Sequence, residues 1–288
     1  MKEPGTIMRG PEILVRSIGI PAIDDKYGNL WQYHSQSDRH SKIACWGILY
    51  DLLNVCTLLQ SHIKRGAVGF GINHVMWNFR TSRKKNLDLV ICTPGTDVVQ
   101  QKCFSDLVEH YKINLTLEEA DKLRSLPAFL QMPVGSVHLA LEAKACMTEH
   151  VKALPRLYDE LNSSHLAIHG SSDFAIAAGF AMVNLSDTFI STGRNKYNLG
   201  ISSPTISKHK QPIACARTIK ALRDIPRRTQ SGVEGFDAFG IVVVECRNDG
   251  SPINVISHDP APKTDEIFHY DQLIRRIAHN YESKFSSL

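Results

Sequence analysis

Residues 136–145 read SVHLALEAKA, and this segment decides the fold. Its apolar character and its length predict a buried β-strand. Because side chains alternate between the two faces of a strand, His138, Glu142 and Lys144 are predicted to share one face. A carboxylate and an amine on a strand of the core each need a compensating partner, since an isolated buried charge is costly.

A second charge lies in the apolar segment KKNLDLVICT, residues 84–93, where Asp88 stands between Leu87 and Leu89. This segment also predicts a core strand. Asp88 and Glu142 would then supply carboxylate oxygens from neighbouring strands, which are the hard ligands that Mg²⁺ prefers. We therefore predict a Mg²⁺ site, which Mn²⁺ would also fill, with Asp88 and Glu142 as its ligands.

Asp88 followed by Glu142-Ala143-Lys144 resembles the acid and ExK elements of the PD-(D/E)xK nuclease superfamily, to which many type II restriction endonucleases belong. The resemblance covers about residues 40–185, with residues 95–135 as an inserted helical segment. It implies an α/β, restriction-endonuclease-like fold with a mixed central sheet flanked by helices. It also implies that Asp88, Glu142 and Lys144 catalyse Mg²⁺-dependent hydrolysis, with Lys144 positioning water or stabilising charge on the phosphate.

The surrounding segments fit this order of elements. Helical spacing of apolar residues predicts one long buried helix from Ser41 to Lys64. A helix is also predicted over 148–164, a strand that is buried on both faces over 173–185, and an amphipathic closing helix over 265–284. We expect an irregular N-terminal arm over 1–38 and a single nuclease domain over 39–288. Its catalytic core covers about 40–185, and its basic, DNA-contacting and C-terminal part about 186–288.

Two further residues are candidates for accessory roles. Asp51 is the acid inside the predicted first helix, and the family often carries another acid there. His138 shares the predicted face of Glu142 and would reach water or phosphate, although a lone strand histidine is more often structural. The alternative for Asp88, Glu142 and Lys144 is a buried salt bridge without catalytic function.

Basic residues concentrate in two segments. Residues 194–228 contain nine Lys or Arg residues and one acid, and a second basic cluster precedes Asp88. Lysine and arginine bind the phosphates of nucleic acids, so these segments predict a DNA-binding surface, with a solvated basic face as the alternative. The predicted DNA contacts are Arg80, Arg83, Lys84, Lys85, Arg194, Lys196, Lys208, Lys210, Arg217 and Lys220.

Composition excludes other classes of protein. The chain of 288 residues is 43% hydrophobic and 22% charged, which is typical of globular proteins, and its net charge of +4 permits nucleic-acid binding. The sequence contains no run of 18 apolar residues, so no membrane span is predicted. The seven scattered cysteines indicate reduced thiols of a cytoplasmic protein. The HGSSD sequence at 169–173 is no evidence for a nucleophilic triad, because triads are assembled in space.

The sequence therefore predicts an endodeoxyribonuclease, most specifically a sequence-specific type II restriction enzyme. A symmetric double-stranded DNA target would be met by a homodimer. Alternatives are a nuclease of repair, recombination or phage DNA processing, an RNA-directed nuclease, and a DNA-binding protein that does not cut.

Overall fold

A computed structural model describes residues 8–78, 82–97, 102–230 and 232–288. The helices are α1 (Gly10–Gly19), α2 (Arg39–Val55), α3 (Thr57–Lys64), α4 (Leu107–His110), α5 (Leu117–Ser125), α6 (His150–Ser171), α7 (Ile213–Arg223) and α8 (Tyr270–Phe285). The strands are β1 (Ile23–Asp24), β2 (Leu30–Trp31), β3 (Gly69–Asn78), β4 (Arg83–Pro94), β5 (Val134–Cys146), β6 (Ile176–Asn184), β7 (Thr188–Ile190), β8 (Ile206–Lys208), β9 (Ala238–Glu245) and β10 (Asn254–Ile256). The fold is mixed α/β, as predicted.

Within the described ranges, six strands form one mixed sheet in the order β10-β9-β6-β5-β4-β3. Strands β3, β4 and β5 are an antiparallel meander, whereas β5, β6 and β9 are parallel to one another. Helix α6 makes the crossover from β5 to β6 that a parallel pair requires. Helices flank the sheet on both faces, which confirms the prediction of a mixed central sheet covered by helices.

The central strands are buried because helices cover both of their faces. All nine residues of β6 are buried, as its continuous apolar sequence predicts. On β5, Leu139, Leu141 and Ala143 pack with α1, α2 and α8, on what we call the α2 face. Ala140 and Cys146 pack with α6 and α7, on the α6 face. The predicted alternation therefore holds over this part of β5.

Two predictions about the N-terminal part are wrong. Residues Gly10–Gly19 form helix α1, with buried Ile13, Leu14 and Ile18, so the arm over 1–38 is not irregular throughout. The predicted single helix from Ser41 to Lys64 is two helices, α2 and α3, bent by 96°. The break lies at Cys56, whose backbone is extended (φ −99°, ψ 92°). Apolar spacing continues across this break, so the spacing alone does not reveal it.

Within the described ranges, no single helix is long and apolar enough to cross a bilayer. Helices α2 and α3 reach that length and apolar character only when they are taken together, and they are bent at the break between them.

Candidate active site

The candidate site lies where strands β4 and β5 separate. Their ladder ends at the pair Leu89–Leu141, and beyond it β4 pairs with β3 while β5 pairs with β6. The carboxylate of Asp88 fills the resulting gap, since its Oδ2 accepts the Ala143 N–H at 3.0 Å. A buried N–H must find an acceptor, so this bond fixes Asp88 against the strand that carries Glu142. We call this region the fork.

Glu142 is the most deeply buried charge of the fork, with a side chain 1% exposed. Its Oε1 lies 2.8 Å from Lys144 Nζ and 3.4 Å from Lys85 Nζ. Its Oε2 is buried and has no hydrogen-bond partner among the described residues. Burial and the nearby charge of Asp88 raise the pKa of Glu142, although both lysines oppose the shift. This carboxylate therefore has one oxygen available for a further cation.

Lys144 is the partly exposed amine of the fork. It keeps 26% of its side chain exposed, and its Nζ lies 3.4 Å from Glu160 Oε2 on α6. Burial alone lowers the pKa of Lys144, but the carboxylates of Glu142, Glu160 and Asp88 outweigh it and raise that pKa. The amine is therefore charged at neutral pH, which suits a group that stabilises negative charge on a phosphate.

The fork opens into a cleft of about 530 Å³, which we call the fork cleft. Asp88 and Lys144 lie on its wall, together with residues that precede α2 and residues of the first half of α6. The predicted trio is thus brought together, with Asp88 and Lys144 at the cleft and Glu142 buried behind them. A substrate phosphate that enters the cleft would meet Lys144 directly.

The start of α2 contributes residues that the sequence did not single out. Lys42 Nζ lies 2.8 Å from Asp88 Oδ1, and Ser41 Oγ donates to the same oxygen at 3.2 Å. Lys42 also contacts the Asn73 side chain and is only 4% exposed. His40 lines the fork cleft, and burial lowers its pKa to about 4, although the charge of Asp88 opposes this shift.

A signal for Lys42 was present in the sequence. Lys42 stands four, seven and eleven residues before Trp46, Leu49 and Leu53, so it lies on the apolar stripe of its helix. A lysine at such a position needs a buried acid. No comparable local signal marks Glu160, because its contact with Lys144 depends on how α6 packs over the sheet.

Asp51 does not belong to the fork. Its carboxylate accepts the backbone N–H groups of Arg9 and Gly10 at 2.7–3.0 Å and the Tyr270 hydroxyl at 2.9 Å. Burial raises the pKa of Asp51 to about 6, against the effect of these donors. An acid that accepts the first N–H groups of a helix holds that helix in place. The structure therefore gives Asp51 a task outside the fork, which is to fasten the N-terminus of α1, and its predicted accessory catalytic role stays a prediction.

His138 does not share the face of Glu142. The register between β4 and β5 shifts between Ile91 and Cys92, opposite His138, so an irregularity interrupts the alternation there. The His138 ring packs on Phe285 of α8, with centroids 4.6 Å apart, on the α2 face. The prediction that His138 reaches substrate is therefore wrong, and its role is in packing.

Four of the predicted DNA contacts gather beside the fork cleft. They line a second groove of about 510 Å³, which we call the basic groove, and they are Arg194, Lys208, Lys210 and Arg217. Glu149 and Lys152 line both the basic groove and the fork cleft, so the two cavities adjoin. The prediction of a basic surface close to the site is consistent with this arrangement.

The other predicted DNA contacts are placed differently. Lys196 and Lys220 are exposed, and the Lys84 ammonium lies over the Trp77 ring at 4.5 Å. Lys85 belongs to the fork, where its Nζ donates to the Glu160 carbonyl at 3.2 Å as well as approaching Glu142. Arg80 and the side chain of Arg83 lie outside the described residues.

The fork suits a small divalent cation held by few protein ligands. Among the described residues no group of three or more His, Cys, Asp or Glu side chains is placed to hold a metal ion. Mg²⁺ does not need such a group, because it commonly binds one or two carboxylates and keeps its other ligands as water. The groups that could hold such an ion are the partnerless Glu142 Oε2 and the carboxylate of Asp88, whose charge acts on Glu142.

Comparisons of the chain with family models, with curated proteins and with solved structures found no match. The functional argument therefore rests on the geometry of the fork, the fork cleft and the basic groove.

Proposed function

We propose that this protein is a Mg²⁺-dependent endonuclease that hydrolyses phosphodiester bonds of double-stranded DNA. One observation carries the proposal. Glu142 is a buried carboxylate with a partnerless oxygen, and it lies behind Asp88 and the charged amine of Lys144, which form part of the wall of an open cleft. A purely structural ion pair has no need of an unsatisfied oxygen, which costs free energy of folding.

The order of elements supports a restriction-endonuclease-like fold. Helix α2, the strands β3, β4 and β5, helix α6 and strand β6 follow one another as the resemblance to the PD-(D/E)xK superfamily implies. Asp88 lies on β4 and Glu142-Ala143-Lys144 on β5, so both elements of the motif stand on adjacent strands. The segment between these strands carries α4 and α5, which supports the inserted helical segment over 95–135.

Each residue of the fork has a defined task in the proposed hydrolysis. Asp88 and Glu142 would hold Mg²⁺, which when bound acidifies water and screens phosphate charge. Lys144 orients the attacking water and stabilises the charge that develops on the phosphate as the bond from phosphorus to a sugar oxygen breaks. Lys42 and Lys85 neutralise the carboxylates and fix their positions.

The basic groove supports DNA as the substrate. Its five lysine and arginine side chains lie next to the fork cleft and would bind phosphates on one side of the scissile bond. The proposed biological role is that of a sequence-specific type II restriction enzyme acting as a homodimer, one subunit for each strand. The experiment distinguishes this role from two alternatives. One is a repair, recombination or phage-processing nuclease, and the other is a DNA-binding protein without cleavage.

The experiment is cleavage of plasmid and phage-length DNA by the purified protein with Mg²⁺, Mn²⁺ or EDTA. The variants are Glu142→Ala and Lys144→Ala. Their matched controls are Glu245→Ala, on the remote strand β9, and Lys122→Ala, on the surface of α5. Circular dichroism would show that each variant is folded. We expect discrete fragments from the wild type and both controls with either metal.

Loss of those fragments in EDTA and in both fork variants would support a sequence-specific endonuclease. Cleavage of branched or free-ended substrates alone would assign a repair or processing nuclease. Intact DNA with every metal and substrate, from a folded protein that still binds DNA, would contradict the catalytic proposal and leave a DNA-binding protein.

A further inference from the structure

The basic groove is lined by both charged and apolar side chains. A surface that binds only phosphate would not need the apolar ones. Five Lys or Arg residues and one carboxylate, that of Glu149, line the groove together with apolar side chains of α6 and α7. Val151 is 68% exposed and Ile213 is 57% exposed, and both line the groove. Exposed apolar side chains in a concave groove mark a place where a flat apolar group binds. A nucleotide has both parts, since its base is flat and its phosphate is anionic.

A histidine adds a hydrogen-bond acceptor to the same groove. His150 is 3% exposed, and its Nε2 lies 2.8 Å from the Asn184 carbonyl oxygen. A carbonyl oxygen only accepts, so Nε2 carries the proton and Nδ1 is an acceptor. Among the described side chains and backbone groups, nothing donates to this buried Nδ1. The neighbouring His209, by contrast, has partners on both ring nitrogens, Thr148 and Ser186.

We propose that the basic groove binds one unpaired nucleotide of the DNA strand that occupies the fork cleft, with the base between Val151 and Ile213 and its phosphate on the Lys and Arg side chains. This inference rests on the proposed function. A paired base is stacked inside the duplex and presents only its edges, so the apolar wall is useful only to a base that has left the stack. Since Glu149 and Lys152 line both cavities, one strand can cross from the cleft into the groove.

The substrate class follows from this placement. The preferred substrate is DNA with a base that is unpaired, or that the enzyme extrudes, within a few nucleotides of the cut. The acceptor Nδ1 of His150 suits a base edge that presents an amino or imino N–H, provided that the ring shifts enough to reach it. A duplex without an extruded base would use the Lys and Arg side chains alone.

The experiment measures binding in EDTA, so that no cleavage occurs. The probes are a fully paired duplex, the same duplex with one unpaired 2-aminopurine nucleotide, and the 2-aminopurine mononucleotide alone. We expect the wild type to bind the duplex with the unpaired nucleotide about 10-fold more tightly than the paired duplex, because removing part of the apolar surface of one base from water is worth about that much. The 2-aminopurine emission should change on binding, because the base moves from water to the groove.

The double variant Val151→Gln, Ile213→Gln should lose this preference and bind the paired duplex within about twofold of the wild type, since the Lys and Arg side chains are intact. Leu117→Gln, which removes an even more exposed apolar side chain (85% exposed) from α5, should keep the preference. Equal wild-type affinity for the two duplexes would overturn the proposal. So would an equal loss of both affinities in the double variant, or binding of the mononucleotide as tight as that of the unpaired duplex.

These outcomes are separate from a failure of the proposed function. A preference for the unpaired nucleotide without cleavage under any metal would remove the endonuclease and keep the nucleotide site. Cleavage of paired DNA without such a preference would remove the nucleotide site and keep the endonuclease.

Discussion

Two regions of this molecule bury a carboxylate among cations, and they differ in how completely its oxygens are satisfied. In the fork, Glu142 uses one oxygen for Lys144 and Lys85 and leaves the other without a partner among the described residues. In the second region, Asp237 Oδ2 accepts the Ala177 N–H at 2.8 Å, and Oδ1 lies 3.3 Å from Lys284 Nζ.

The second region, which we call the Asp237 cluster, also contains His169 and Arg228. His169 Nε2 donates to the Gly235 carbonyl at 2.9 Å, so its Nδ1 is the acceptor that faces Arg228 at 2.5 Å. The Arg228 side chain is 2% exposed and lies 3.9 Å from Asp237. Every group here has a partner, as expected of a cluster that stabilises the fold. A buried ion cluster is thus evidence for a functional site only when it leaves a group unsatisfied and reaches an open cleft.

The largest expected effect is on cleavage. Glu142→Gln and Lys144→Met should each lower the single-turnover rate of supercoiled plasmid nicking by about 10³-fold, because each removes a group that acts on the charge of the transition state. DNA affinity, measured by anisotropy in EDTA, should change little, since the cations of the basic groove remain.

A matched change in the Asp237 cluster sharpens this contrast. Lys284→Met removes a partner of Asp237 and should leave the nicking rate of the folded protein within about threefold of the wild type, because the contacts of Lys284 are with Asp237 and the Phe174 carbonyl and not with the fork. If Lys284→Met abolished nicking as completely as Lys144→Met, the division into a catalytic and a structural cluster would be wrong.

The next effect is on stability. Arg228→Met should lower the free energy of unfolding by about 3 kcal/mol, because it leaves Asp237 buried with fewer counter-charges and removes a donor to the Asp173 carbonyl. Urea unfolding followed by circular dichroism measures it. A loss below about 0.5 kcal/mol would show that this cluster contributes no more than a surface ion pair.

A smaller loss of unfolding free energy is expected when Asp51 is changed. Asp51 is the third buried carboxylate compared, and both of its oxygens accept hydrogen bonds. Asp51→Asn keeps the shape but weakens the bonds to Arg9, Gly10 and Tyr270, and should cost about 1 kcal/mol of unfolding free energy. The nicking rate per folded molecule should be unchanged. A large loss of nicking without a loss of stability would return Asp51 to the catalytic residues.

Local patterns in the sequence were sufficient to predict β4, β5, β6 and α6. Alternation and apolar runs report directly on which faces are buried, and the charges at Asp88, Glu142 and Lys144 stand out against them. That these charges meet does not follow from any local pattern, since Asp88 and Glu142 are 54 positions apart. It was predicted by taking their two strands as neighbours, and the resemblance supported that step.

The failures have a common physical origin in contacts between distant residues. The irregularity at His138 changes the face of that side chain through pairing with β4, and nothing in SVHLALEAKA marks it. Helix α1 depends on an acceptor 41 positions away, Asp51, and it buries its apolar side against α2. Glu160 reaches Lys144 only because α6 packs across the fork. Patterns along the chain do not carry such contacts.

The smallest effect is the pH dependence of the stability that Glu142 contributes. The pKa of Glu142 is raised in the folded protein, mainly by burial, so its contribution to stability is complete below the pKa of the unfolded chain and is lost as pH rises through the folded pKa. Gln at this position is always neutral. The unfolding free energy of Glu142→Gln should therefore increase relative to the wild type as pH rises above about 4 in EDTA. Lys144 stays charged over this window because its own pKa is raised.

Addition of Mg²⁺ at neutral pH should stabilise the wild type and leave Glu142→Gln nearly unchanged, because Mg²⁺ binds only where Glu142 is ionised. The opposite slope, with the wild type gaining stability as pH rises, would mean that the lysines satisfy Glu142 as fully as Asp237 is satisfied, and the fork would then be a structural ion cluster.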